Sequence, residues 1–342
     1  MTTDEQPNSG GDRPRPAAGH RPLLSAESAD EPTADGVARP LAERDASLPE
    51  GAPPPADPSR QPSSSEPWRV VAASVTGTSH AARGVDCQDA HAYVVRPDGT
   101  LILAVADGAG SADQSADGAR IAVERVIEVI DARLDAASSE DLARAQHGDA
   151  ATPSEVVGGV VAARPPDEQW WRGLLTSAVQ AARARIDQLA EHAGLAPRAY
   201  ACTLTCVVAT SEQLAVAQIG DAAAVARHPD GALHIVGVPQ RGEYANEAYF
   251  LTTPDAMERL EITMSSGAPL AVAAFSDGLL RLATQGREHE PHAPFFDPLL
   301  DFVVRKGAGP AIEAQLADFL RSERVSRRTD DDKTLVLAVR GS

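Results

Sequence analysis

The sequence predicts an α+β sandwich in which helices lie outside a β core, and three observations carry that prediction. The segments run strands, helices, strands, helix, strand, whereas a doubly wound parallel sheet would alternate the two regularly. Links between successive apolar runs, such as Pro229-Asp230-Gly231, are short enough for antiparallel hairpins. Two long stretches place their apolar residues at helical spacing.

Taken in order, WRVVAASV from Trp68, then HAYVV and LILAVA, are β-rich runs joined by turn residues such as Pro97-Asp98-Gly99. Between Ser115 and Leu134, the spacing of Ile121, Val126, Ile127 and Ile130 predicts a helix. A second helix covers WWRGLLTSAVQAARARIDQLAEHAG and stops at Gly194. Residues 137–168, rich in Ala, Asp, Gly and Pro, are expected to form a loop insert. YACTLTCVVAT, QLAVAQIG, AAVARH and ALHIVGV make a second β block, and residues 239–268 read as polar and irregular. PLAVAAFS is a further strand, Pro310 to Arg321 a helix, and TLVLAV the last strand.

Residues 1–67 differ in kind. They hold 13 of the 26 prolines and 12 acids against 6 bases, with Leu23-Leu24 almost the only adjacent large apolar pair. Such a segment cannot bury enough surface to offset its ordering entropy, so a disordered tail with no assignable partner is expected ahead of one folded domain, 68–342.

Composition narrows the function. A net charge of −18 opposes broad phosphate-backbone contact, which excludes nucleic acid as the expected partner. No apolar run approaches the roughly 18–20 residues that cross a bilayer, which gives no reason to expect a membrane partner. Cys87, Cys202 and Cys206 form no CxxC pair and no even framework, which suits a reducing compartment; the cytoplasm is the expected location. Cations are nearly all arginine, Lys306 and Lys333 being the only lysines, a bias typical of GC-rich bacterial genomes.

The chemistry sits in aspartates at strand ends. LILAVA ends at Asp107, LAVAQIG at Asp221 and LAVAAFS at Asp277, and Asp331 lies just before TLVLAV. One Asp-Gly after an apolar run is a turn and nothing more. A turn, however, needs no run of three acids such as Asp330-Asp331-Asp332. Carboxylates repeated on rigid strand ends, with few bases to neutralise them, call for hard divalent cations and suggest a two-metal hydrolase.

The blocks CQDAHAY, VADGAG, IGDAAAV, FSDGLL and DDKTLVLAV occur in this order across residues 68–340 and resemble the signature blocks of the bacterial metal-dependent type-2C serine/threonine protein phosphatases. The resemblance implies a four-layer α/β/β/α sandwich, two antiparallel sheets face to face with helices on both outer faces. It also implies two Mn or Mg ions, with a weaker third. Asp107 would bridge two metals, the Gly108 carbonyl would ligate one, and Asp277 and Asp331 would complete the other. Asp221 with Asp277 would hold the third, and Asp89 would reach the metals through water. The implied reaction is hydrolysis of phosphoserine and phosphothreonine in proteins by a metal-bridging water, with no phosphoenzyme, opposing a Ser/Thr kinase.

Three positions depart from the family pattern. Gln88 stands where many members have glutamate. Gly84 stands where many have a phosphate-binding arginine, leaving Arg83 or His80 as substitutes, with Gln88 beside them. Ala109 replaces a histidine of animal members. The alternative they raise is a catalytically impaired module that keeps the fold and binds phosphoproteins or regulates a partner. Retention of the aspartates argues against it.

Overall fold

The computed structural model describes residues 67–147, 156–157, 160–161, 167–240 and 248–341. The expected tail lies outside these, as do most of the expected insert after residue 147 and residues 241–247 of the polar stretch.

Ten strands form two five-stranded sheets. In chain order the elements are β1 (Trp68–Val75), α1 (Thr78–Arg83), β2 (Ala90–Val95), β3 (Leu101–Ala106), α2 (Ser115–His147), the short pair β4 (Val156–Val157) and β5 (Val160–Val161), and α3 (Glu168–Ala193). After them come β6 (Leu204–Ala209), β7 (Gln213–Ile219), β8 (Ala223–Arg227), β9 (Leu233–Gly237), β10 (Glu261–Ser266), β11 (Ala271–Phe275) and α4 (Leu280–Ala283). A small hairpin of β12 (Thr284–Gln285) and β13 (Glu290–Pro291), then α5 (Ala293–Lys306), α6 (Pro310–Arg321), α7 (Glu323–Ser326) and β14 (Lys333–Arg340) complete the chain. One sheet has the order β1-β14-β11-β8-β9 and the other β10-β7-β6-β3-β2, all neighbours being antiparallel.

The two-residue period of the strands sorts their side chains into layers. In β3, Ile102, Ala104 and Ala106 face α2 and α3, while Leu101, Leu103 and Val105 join the layer between the sheets. In β14, Leu335, Leu337 and Val339 pack with α5 and α6, and Val336 and Ala338 turn to the inter-sheet layer. Strands buried on both faces read as continuous apolar runs, which is why LILAVA and TLVLAV stand out in the sequence. The expected four-layer arrangement is the one observed.

Two expectations are corrected. Helix α2 does not end near Leu134 but continues to His147, so the start of the expected 137–168 insert is helical. Ser138 and Ser139 return their hydroxyls to the carbonyls of Leu134 and Asp135, which lets them sit in a helix that lacks apolar periodicity there. The stretch 239–268 contains β10, an edge strand paired to β7 whose alternating half-buried side chains hide in polar composition. No helix among the described residues is long and apolar enough to cross a membrane.

Candidate active site

Antiparallel pairing brings the predicted acids together. Phe275 at the end of β11 pairs with Leu335 near the start of β14, and Ala90 at the start of β2 pairs with Ala106 at the end of β3. Leu204 pairs with Ile219, which brings the end of β7 to the same edge as the end of β3, where Val105 pairs with Thr205. Asp107, Asp221 and Asp277 each offer a carboxylate oxygen, and these oxygens lie within 4.8 Å of one another. Asp221 falls where the chain crosses from β7 in one sheet to β8 in the other, so both sheets contribute.

Close backbone packing sets each acid. Asp107 donates its amide to Thr203 Oγ1 at 2.9 Å, and its carbonyl accepts from the Thr203 amide at 2.8 Å. A Cβ on Gly108 would stand 2.7 Å from the Gln88 carbonyl oxygen, so the DGAG turn can pass beside the β2 entry only as glycine. A Cβ on Gly278 would come 2.0 Å from the Asp332 carbonyl oxygen; the turn carrying Asp277 is thereby pressed onto the acidic run before β14.

Asp89 is buried and accepts a 2.6 Å hydrogen bond from Ser276 Oγ on Oδ2, while its Oδ1 has no partner. Asp221 Oδ1 is likewise buried without a partner. Asp331 is exposed at the mouth of the cluster, with Oδ1 accepting from the Asp332 amide at 2.9 Å. Its charge bears on both Asp277 and Asp221.

Burial, then mutual repulsion, makes ionisation of this cluster costly. Burial pushes Asp89 up to about 7 against the hydrogen bond from Ser276, and Asp332 adds to the rise. Asp221 is raised to about 7, again by burial and then by Asp277. Asp107 is held well above the usual carboxylate range by burial and by Asp89, Asp277 and Asp221, and Asp277 is raised by burial and by Asp331. Carboxylates so placed cannot all carry charge unless a cation joins them. Three converging carboxylates, with a buried Asp221 oxygen that has no partner and a second such oxygen on Asp89, fit divalent ions of the Mg or Mn type.

The sequence reading passed over Asp332, Ser276 and Lys333. Asp332, not Asp331, is the buried member of the acidic run: Oδ1 accepts from the Gly77 amide and Oδ2 from the Gln88 amide, each at 2.6 Å. His80 Nδ1 lies 2.9 Å from the same Oδ2. Lys333 is buried beside it, its Nζ donating to the Asp331 carbonyl at 2.9 Å; burial lowers its pKa against the pull of Asp332 and Asp331. The length of the acidic run was the signal available, but not which member turns inward.

Of the residues considered for phosphate, His80 is buried and Gln88 half-buried beside the DGAG turn. Arg83 is exposed, its Nε donating to the Ser79 carbonyl at 3.1 Å.

A two-sheet sandwich that gathers carboxylates from both sheets at one end is built as a cation-dependent hydrolase. The family model described as Protein phosphatase 2C matches residues 76–321, and the chain belongs to that family. It is 35% identical over 283 residues to serine/threonine-protein phosphatase 3 of Escherichia coli (strain K12), covering 80% of this chain and 98% of that protein. Among solved structures, it is similar to a serine/threonine phosphatase of Staphylococcus aureus, with 12% identity, 82% and 98% of the two chains covered and a TM-score of 0.49. The Mycobacterium tuberculosis serine/threonine phosphatase aligns at 17% identity over 80% and 99%, with a TM-score of 0.47.

Proposed function

We propose that this protein removes phosphate from phosphoserine and phosphothreonine in proteins, using cations held by Asp107, Asp221, Asp277 and Asp331 with the Gly108 carbonyl, and with Asp89 acting through water. The reaction class follows from family membership and from the 35% identity to a serine/threonine-protein phosphatase. The observation that supports the site is the convergence of Asp107, Asp221 and Asp277 within 4.8 Å, with orphaned oxygens on Asp221 and Asp89.

Divalent ions held by these residues, proposed as two Mn or Mg with a weaker third, would supply Lewis-acid charge and acidify a water. The chain's own part is positioning. Thr203 and Ser276 fix Asp107 and Asp89, and Gly108 and Gly278 let the two turns close against the neighbouring backbone. For the phosphoryl oxygens we assign Arg83, His80 and Gln88: α1 carries the first two, and the guanidinium need trade only its bond to Ser79. The three free cysteines suit a reducing cytoplasm, and the substrate is a phosphoprotein made by a Ser/Thr kinase. A phosphoprotein-binding module without turnover is not favoured, since binding alone has no use for carboxylates that resist being ionised together.

The test is hydrolysis of p-nitrophenyl phosphate and a phosphothreonine peptide by the full chain with Mn, with Mg and with chelator, beside Asp277→Ala. Turnover that needs metal and disappears in Asp277→Ala supports the reading. A folded wild-type protein with no turnover in any metal would sink it.

A further inference from the structure

The turns that carry Asp277 and Asp331 lie against each other, since a Cβ on Gly278 would come 2.0 Å from the Asp332 carbonyl oxygen. The segments leading out of the first turn and into the second bury their apolar residues in one cluster: Leu279 and Ala283 after Asp277, and Val325 of α7 before Asp331. Their outward residues are basic. Arg281 stands four residues after Asp277, and Arg328 three residues before Asp331. The amides of Arg327 and Arg328 return to the carbonyls of Glu323 and Val325, so the helical turn of α7 runs on and sets Arg324 and Arg328 on one face. Arg281, Arg324 and Arg328 are all exposed.

Neighbouring cations are already matched: Arg321 pairs with Asp318 and Arg327 with Glu323. Among the described residues, no ion pair or side-chain hydrogen bond engages Arg281, Arg324 or Arg328. The exposed acids beside them are Asp330, whose carbonyl accepts from the Ser79 amide, and Asp331, whose charge a bound cation would meet. In a chain of net charge −18, most of the surface repels an acidic peptide, and three unmatched guanidiniums at the mouth of the site reverse that locally. Their reach suits the neighbours of a phosphorylated residue. Three or four residues of chain span at most about 10–14 Å, and side chains two to four residues along an extended peptide lie about 7–14 Å from the first.

We propose that Arg281, Arg324 and Arg328 form a docking surface for Asp and Glu residues two to four positions from the phosphoserine or phosphothreonine of the substrate. The surface selects acid-flanked phosphosites, while the metal-site carboxylates hold the reacting end. This rests on the phosphatase reading and names the substrate class within it.

The test compares the full chain on two phosphothreonine peptides, one with acids at those positions and one with Asn and Gln in their place. Exposed ion pairs contribute about threefold each, so wild type should favour the acidic peptide at least about tenfold in kcat/KM. The preference should vanish at about 1 M salt, where charges are screened beyond roughly 3 Å. Arg281→Gln with Arg324→Gln and Arg328→Gln should bring the ratio to about one. Arg305→Gln with Lys306→Gln should keep it: Val304 beside them bonds Arg69 near the start of β1, the end of that strand remote from the acids. A wild type without the preference, a triple variant that retains it, or an equal loss in the α5 variant would overturn the proposal. So would a rise on both peptides in the triple variant, the result expected if the acidic residues 1–67 were the occupant. Wild-type protein that hydrolyses neither peptide in any metal would instead overturn the phosphatase reading.

Discussion

Ser276 joins Asp89 to the last strand: its Oγ donates to Asp89 Oδ2 at 2.6 Å and accepts from the Thr334 amide at 2.9 Å. The hydroxyl is 1% exposed by residue, so neither partner finds water if it is removed. Ser276→Ala should cost about 1–3 kcal/mol of stability, the penalty for orphaning buried polar groups. It should also weaken divalent-ion affinity by roughly 10–100-fold, as loss of an outer-shell partner does. Chemical denaturation and a Mn titration followed by turnover measure the two effects.

Stability should fall with pH when no divalent ion is present. Asp89 and Asp221 titrate near 7 in the folded protein against an ordinary value of 3.8, because burial and neighbouring carboxylates oppose their charge. Between those values the folded state binds more protons than the unfolded one, so raising pH favours unfolding. The loss begins above about pH 4 and is complete once pH passes about 7. In chelator, the melting temperature should decline from pH 5 to pH 8, and saturating Mn should raise it more at pH 8. A metal-free melting temperature that rises over this window would contradict the proposed electrostatics.

Neutralising one acid should separate stability from function. Asp107 lies at the crowded centre, where burial and then Asp89, Asp277 and Asp221 disfavour its charge. Asp107→Asn keeps the shape and removes that repulsion. In chelator at pH 8 the variant should melt above wild type, yet gain little from added Mn and show at least about 100-fold lower turnover. Differential scanning fluorimetry with and without Mn, paired with the phosphatase assay, reads both.

Strands buried on both faces announced themselves as apolar runs, and the aspartates closing LILAVA, LAVAQIG and LAVAAFS are the three whose carboxylate oxygens the fold brings within 4.8 Å of one another. What escaped had physical reasons. β10 is an edge strand with polar alternation, and α2 runs on past Leu134 through Ser138 and Ser139, residues that carry no apolar signal. Asp332 escaped because adjacent acids are indistinguishable by composition. Its inward turn depends on the amides of Gly77 and Gln88, which are more than two hundred residues away.

Asp332 should therefore be a larger single determinant of stability than the exposed Asp331. Its carboxylate accepts from two distant backbone amides, those of Gly77 and Gln88, with His80 Nδ1 2.9 Å from Oδ2. Asp332→Ala strands both amides, and hydrogen bonds to a charged carboxylate contribute about 1.5–3 kcal/mol each. A loss of at least about 3 kcal/mol is expected, against no more than about 0.5 kcal/mol for Asp331→Ala in chelator, where an exposed surface change costs little. Asp332→Asn, which keeps one carbonyl oxygen for an amide, should fall between them. Urea denaturation of the three variants in chelator tests the order, and equal midpoints for Asp331→Ala and Asp332→Ala would refute it.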